Sequence, residues 1–168
     1  MTREERQVRS QLSALADDDK GRRLLQLALR GIQESGRGLT YGCWVKPGGG
    51  VSGCLFQHAH WQGVQEGVFR PVEGDPKGEF KSYVGEEDFA LVMGAIRAFD
   101  ALGKRRFRRW TRGRYGVPVH TLDEERWRAE VERILVDVLA ERRDEAGDRA
   151  ERQPRRPLGA TQASSEAP

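Results

Sequence analysis

A chain of 168 residues and 19.0 kDa suits one domain of about 100–150 residues plus tails. With 37% hydrophobic and 33% charged residues and a mean hydropathy of -0.72, it holds no run near the ~18–20 apolar residues that span a bilayer. Lys+Arg is 29 against Asp+Glu 26, so the net +3 is small beside the gross charge, and two cysteines are too few for a disulfide framework. The charged start MTREERQVRS leads into no apolar stretch, so no secretory signal is expected. A soluble, cytoplasmic protein without a membrane partner is the expectation.

Thr2 followed by Glu5 fits a capping box, and Val8, Leu12 and Leu15 then recur at helical spacing. Asp17-Asp18-Asp19 breaks that pattern and can cap a second helix, on which Leu24, Leu25, Ala28 and Ile32 line one face until Ser35-Gly36. From Leu39 the texture changes to glycine, aromatics and β-branched residues. A hairpin is predicted from strands at Leu39–Val45 and Val51–His58 around Pro47-Gly48-Gly49-Gly50. Val68–Val72 and Phe80–Val84 are further candidate strands. Helices return after Gly85. Glu86, Glu87 and Asp88 suit a helix start, Phe89, Val92, Ile96 and Phe99 form a stripe, and Gly103 sits where a C-cap is expected. Thr121 with Glu124 opens a last helix whose apolar face carries Trp127, Val131, Ile134, Leu135 and Val138. The predicted fold is therefore α+β: a small antiparallel sheet of three to four strands, over about 39–84, packed against N- and C-terminal helices. One domain is expected over 1–143, followed by a disordered charged tail over 144–168.

The densest chemistry lies in YGCWVKPGGGVSGCLFQHAHWQGV. A hairpin centred between Gly48 and Gly49 sets Cys43 opposite Cys54, at a Cα separation of roughly 4.5–5.5 Å that suits a disulfide or a shared metal. In a strand Cys54, His58 and His60 point to one side. In a helix only Cys54 and His58, four residues apart, share a face. Cys43, Cys54, His58 and His60 could thus supply the four ligands of a tetrahedral zinc site, with His120 in reserve. The spacing lacks the short C-x2-C knuckle of zinc motifs, and other metals accept the same ligands. Reduced, buried thiols packing as small hydrophobes are the plain alternative, and a redox disulfide is a third. A thiolate beside His58 could also make Cys54 a nucleophile, but nothing marks an oxyanion hole. Gly48, Gly50 and Gly53 spell G-x-G-x-x-G without the βαβ alternation that would give it meaning.

From Lys104 to Arg114 every charged residue is basic, and Phe107, Trp110 and Tyr115 are interleaved with them. Arg105, Arg106, Arg108, Arg109 and Arg112 would bind phosphate, with Trp110 stacking on a base. Gly113-Arg114-Tyr115-Gly116 also matches the four-residue GXXG of a KH loop, a weak likeness on its own. The competing reading pairs these arginines with the acid-rich helix that follows Asp123. The function expected from sequence is a non-enzymatic, metal-stabilised or thiol-sensing protein that contacts DNA or RNA. The alternative is a regulatory interaction module using the amphipathic 121–143 helix toward a protein partner or a second copy of the chain.

Overall fold

The computed structural model describes residues 1–41, 52–106 and 121–152, and in the last of these the side chains from Glu124 to Arg142. These residues form six helices: α1 (Arg3–Ala16), α2 (Asp19–Glu34), α3 (Leu55–Gln65), α4 (Lys77–Val84), α5 (Glu86–Arg106) and α6 (Thr121–Arg152). Their only strands are β1 (Gly38–Leu39) and β2 (Ser52–Gly53).

The terminal helices follow their local signals. Thr2 Oγ1 accepts the Glu5 N–H at 3.2 Å, and Asp18 Oδ2 accepts those of Lys20 and Gly21 at 2.8 and 3.1 Å. Val8, Leu12 and Leu15 of α1 and Leu24, Leu25, Ala28 and Ile32 of α2 are fully buried. α2 ends at Ser35, and Gly36 then adopts a φ of 62°, which favours glycine. All five stripe residues of α6, Trp127, Val131, Ile134, Leu135 and Val138, are buried in the common core.

α1 packs chiefly on α5 and α2 chiefly on α3, while α6 lies against both α1 and α2. Arg142 of α6 pairs with Asp17 at 3.0 Å, whereas Arg128 donates to the carbonyls of Ile32 and Arg37. α6 therefore runs antiparallel to α2. Its Arg128 guanidinium caps carbonyls at the C-terminal end of α2, where a cation is favoured.

The middle of the chain corrects the α+β expectation. In place of three or four antiparallel strands, the described residues form one parallel pair, Gly38 beside Ser52 and Leu39 beside Gly53. A parallel pair needs a connection of about a dozen residues, and 40–51 supplies it. The second hairpin strand gives way at Cys54 to α3. Eight of the eleven residues of α3 are buried, polar Gln57, His58, His60 and Gln62 among them, so no single apolar stripe marks a helical face and the period could not separate helix from strand. Val68–Val72 is irregular, and the Phe80–Val84 segment lies in α4. Phe80 and Val84 are four residues apart, a spacing that puts them on one face of a helix and of a strand alike. Gly103 is not a C-cap either: α5 continues to Arg106, and a Cβ at Gly103 would collide with the Tyr41 ring.

A charge cluster fastens α1 to its neighbours. Glu5 is 6% exposed and accepts from Arg133 of α6 at 3.0 Å, with Arg9 at 3.6 Å and Arg106 of α5 at 3.8 Å. The Arg133 hydrogen bond, aided by the nearby guanidinium charges, holds the Glu5 carboxyl below its usual range against the opposing effect of burial. A carboxyl whose folded pKa is depressed stabilises the fold above its unfolded value near 4.5, and that contribution is lost as pH falls through the folded value. Glu5→Gln should lower stability at pH 7 by about 1–2 kcal/mol, because its arginine partners are themselves partly solvated. It should also reduce the acid sensitivity of urea unfolding below pH 4.5. An unchanged profile there would show that the cluster contributes nothing.

Candidate functional site

Among the described residues of the central segment, His58 and His60 belong to α3 and Cys54 precedes it, and each is placed by packing. Cys54 is the N-cap residue of α3 and is buried. It borders a small cavity of about 10 Å³, room for about one water, together with Leu39, Phe99, Asp100 and Trp127. Cys43 lies outside the described residues.

His58 is fully buried between α3, the end of α2 and β1. Its Nε2 lies 3.1 Å from the Gly38 carbonyl, and its Nδ1 lies 3.0 Å from the Gly31 carbonyl and 3.2 Å from Ser35 Oγ, so the single N–H of a neutral ring donates to one of the two carbonyls. In the neutral ring, the Ser35 hydroxyl can donate to Nδ1. The Gly31 carbonyl keeps a donor of its own, the Ser35 N–H at 3.3 Å. Gly31 permits this approach, because a Cβ there would land on the His58 carbonyl. Trp61 packs edge-on against His58 at 5.2 Å, and the Arg37 guanidinium lies over the Trp61 ring at 4.1 Å. Burial pushes the His58 pKa below 6.5; the Gly31 and Gly38 carbonyls oppose the shift, and Arg128 and Arg37 reinforce it.

His60 is directed elsewhere. Its Nε2–H donates to the Arg70 carbonyl at 2.9 Å, and the ring stacks on Phe69 at 6.0 Å. Gln57 sits beside it, with its amide nitrogen toward the Gly74 carbonyl at 3.2 Å and its oxygen accepting from Trp61 Nε1 at 3.1 Å. His60 and Gln57 thus fasten the 66–76 connection to α3. Among the described residues, no group of three or more His, Cys, Asp or Glu side chains stands where it could hold a metal ion.

The basic segment is described only as far as Arg106. Arg105 pairs with Glu4 at 2.8 Å. Arg106 forks onto Glu130 of α6, with Nε 3.0 Å from each carboxylate oxygen. This is the internal pairing with the acid-rich helix that the sequence offers as the alternative to phosphate binding. Arg108, Arg109, Trp110 and Arg112 lie outside the described residues.

Sequence reasoning missed a groove of about 670 Å³ between α2 and α6. Among the described residues, Leu29, Val136, Leu139 and Ala140 form its apolar part, and Arg22, Arg30 and Arg142 are the charged residues that line it. Val136 is 48% exposed, although it lies on a helix whose main apolar face is buried. A signal was present: Leu29 on α2 and Val136 on α6 fall outside the stripes that their helical periods define. An apolar residue off the stripe on each of two helices becomes a surface feature once those helices lie side by side. No family model, curated protein or solved structure matches this chain. Among the described residues, no helix is long and apolar enough to cross a membrane.

Proposed function

We propose that this chain is a protein-interaction module that receives a partner in the groove between α2 and α6. The observation that carries the reading is the half-exposed Val136 set with Leu29 and Leu139 in a concave surface of about 670 Å³. A groove of that size, with an apolar floor and a few oriented polar groups, is the usual form of a binding site. The buried stripe of α6 belongs to the chain's own core, so a partner meets α6 through its other side. A displayed peptide library selected on the intact chain tests this. Selected peptides should bind the Val136→Glu variant at least tenfold more weakly than the parent chain. Binding that ignores both Val136→Glu and Leu29→Glu would remove the groove from the function.

A second reading, contact with DNA or RNA, is favoured by the C-terminal turn of α5. It carries Lys104, Arg105 and Arg106, of which Arg105 is 53% exposed, and it leads into a segment bearing only basic charge. The Arg105–Glu4 pair lies at the surface, where such pairs are weak and phosphate can displace them. Binding to a short single-stranded oligonucleotide should weaken steeply with salt, and Arg105→Ala with Arg108→Ala and Arg109→Ala should flatten the slope. A slope unchanged by the three substitutions would exclude the basic segment as the contact.

A further inference from the structure

We infer that the occupant of the α2–α6 groove is an acidic amphipathic helix of a partner protein. This rests on the reading of the groove as an interaction site and adds the chemistry of what fills it. The groove is bounded by two antiparallel helices, and its α2 wall runs from Arg22 to Arg30, a length of about 12 Å at 1.5 Å per residue. That matches two turns of a third helix laid between the first two, with apolar side chains at i, i+3 or i+4, and i+7 seated on Leu29, Val136 and Leu139.

Charge selects among amphipathic helices. Among the described residues, every charged residue that lines the groove is an arginine. Because α6 is antiparallel to α2, Arg22 and Arg142 stand at the same end of the groove and Arg30 lies toward the other. Their present carboxylate partners lie outside the lining. Arg22 pairs with Asp19, whose side chain is 94% exposed, and Arg142 pairs with Asp17, which is 57% exposed. Glu66 is shared by Arg23 and Arg30, so one carboxylate serves two guanidiniums. The Asp17 and Asp19 carboxylates are solvated and so readily exchanged, while Glu66 is only 23% exposed and is divided between two arginines; Arg forks bind incoming carboxylates in a defined geometry. A helix with Asp or Glu flanking its apolar stripe at both ends meets all three arginines. A basic helix meets three like charges beside a surface that it must desolvate.

The test uses two helical peptides of matched length with the same apolar stripe, one with Glu flanks and one with Lys flanks. Their binding to the intact chain is followed by fluorescence anisotropy. The acidic peptide should bind at least tenfold tighter, lose that advantage in high salt, and yield to the basic peptide when Arg22→Glu and Arg142→Glu are combined. If the double variant fails to fold, each single variant and the salt dependence of the parent chain give the same discrimination. Equal binding of both peptides, abolished by Val136→Glu, would overturn the acidic occupant while leaving the groove as an interaction site. Binding of neither peptide would overturn the acidic helix, and the library selection would then decide the groove on its own. A dimer in light scattering that Val136→Glu dissolves would name a second copy of the chain as the occupant instead.

Discussion

Trp127→Ala should cost about 3–5 kcal/mol of folding stability, the range for emptying a large aromatic side chain from a core. Trp127 is 1% exposed, meets Tyr41 edge-on at 6.0 Å and Phe99 at 6.3 Å, and borders the small cavity beside Cys54. Those contacts join α6 to α5 and to the end of β1. Domains of this size have about 5–15 kcal/mol in total, so one substitution removes a large fraction. The midpoint of urea unfolding should fall sharply with little change in slope, and Trp127→Phe should recover much of the loss. The result bears directly on function. A loss below about 1 kcal/mol would mean that the apolar face of α6 is not committed to the chain's own core, and that face would again be the candidate surface for a partner.

The second large effect concerns His58. Replacing it with Leu removes the ring's hydrogen bonds to a backbone carbonyl and to the Ser35 hydroxyl; the ring is fully buried, and its Ser35 and Gly38 partners are half-buried. A buried polar group left unpaired costs about 1–3 kcal/mol, so His58→Leu should lose about 2–4 kcal/mol in all. The pH dependence follows from the lowered pKa. Above about pH 6.5 the ring is neutral in both the folded and unfolded chain. As pH falls below 6.5 the unfolded chain takes up a proton that the buried ring refuses, so stability declines by up to about 1.4 kcal/mol per pH unit until the folded pKa is reached. His58→Gln keeps a donor for that carbonyl but does not titrate. It should flatten the profile just below pH 6.5, where the decline begins, above the point at which the Glu5 contribution starts to be lost. A parent chain whose stability is level across that range would show that the ring accepts a proton where it sits.

The two ends of the chain and its middle differed in how far they could be read, for reasons visible in particular residues. α1, α2 and α6 each carry one apolar stripe on an otherwise polar helix, and the caps at Thr2 and Asp18 are three-residue local devices. α3 offers no such contrast, since Leu55, Phe56, Gln57, His58, Ala59 and His60 are all buried in succession. The candidate site divides the same way. His58 and His60 lie on α3 with different partners, and Cys54 precedes the helix as its extended N-cap rather than sharing a helical face with His58 as the helical alternative expects. The ring nitrogens of His58 and His60 then meet backbone carbonyls of Gly38 and Arg70, residues that no spacing rule connects to them.

By itself the sequence determined where four of the helices lie, which faces α1, α2 and α6 bury, and that Arg106 had an acid-rich helix available to it; on α5 only Val92 and Phe99 of the expected stripe are buried. Periodicity, caps and charge runs are encoded within one or two turns of chain, so they can be read without neighbours. Tertiary structure alone decided that the described residues between 38 and 84 form one short parallel pair and two helices, that His58 closes the end of α2, and that α2 and α6 lie antiparallel with three arginines along one groove. Each of these depends on groups far apart in the chain, such as Arg128 with Ile32 and Glu124 with Leu39. Their meeting is set by how the helices share one core, and no local pattern records it.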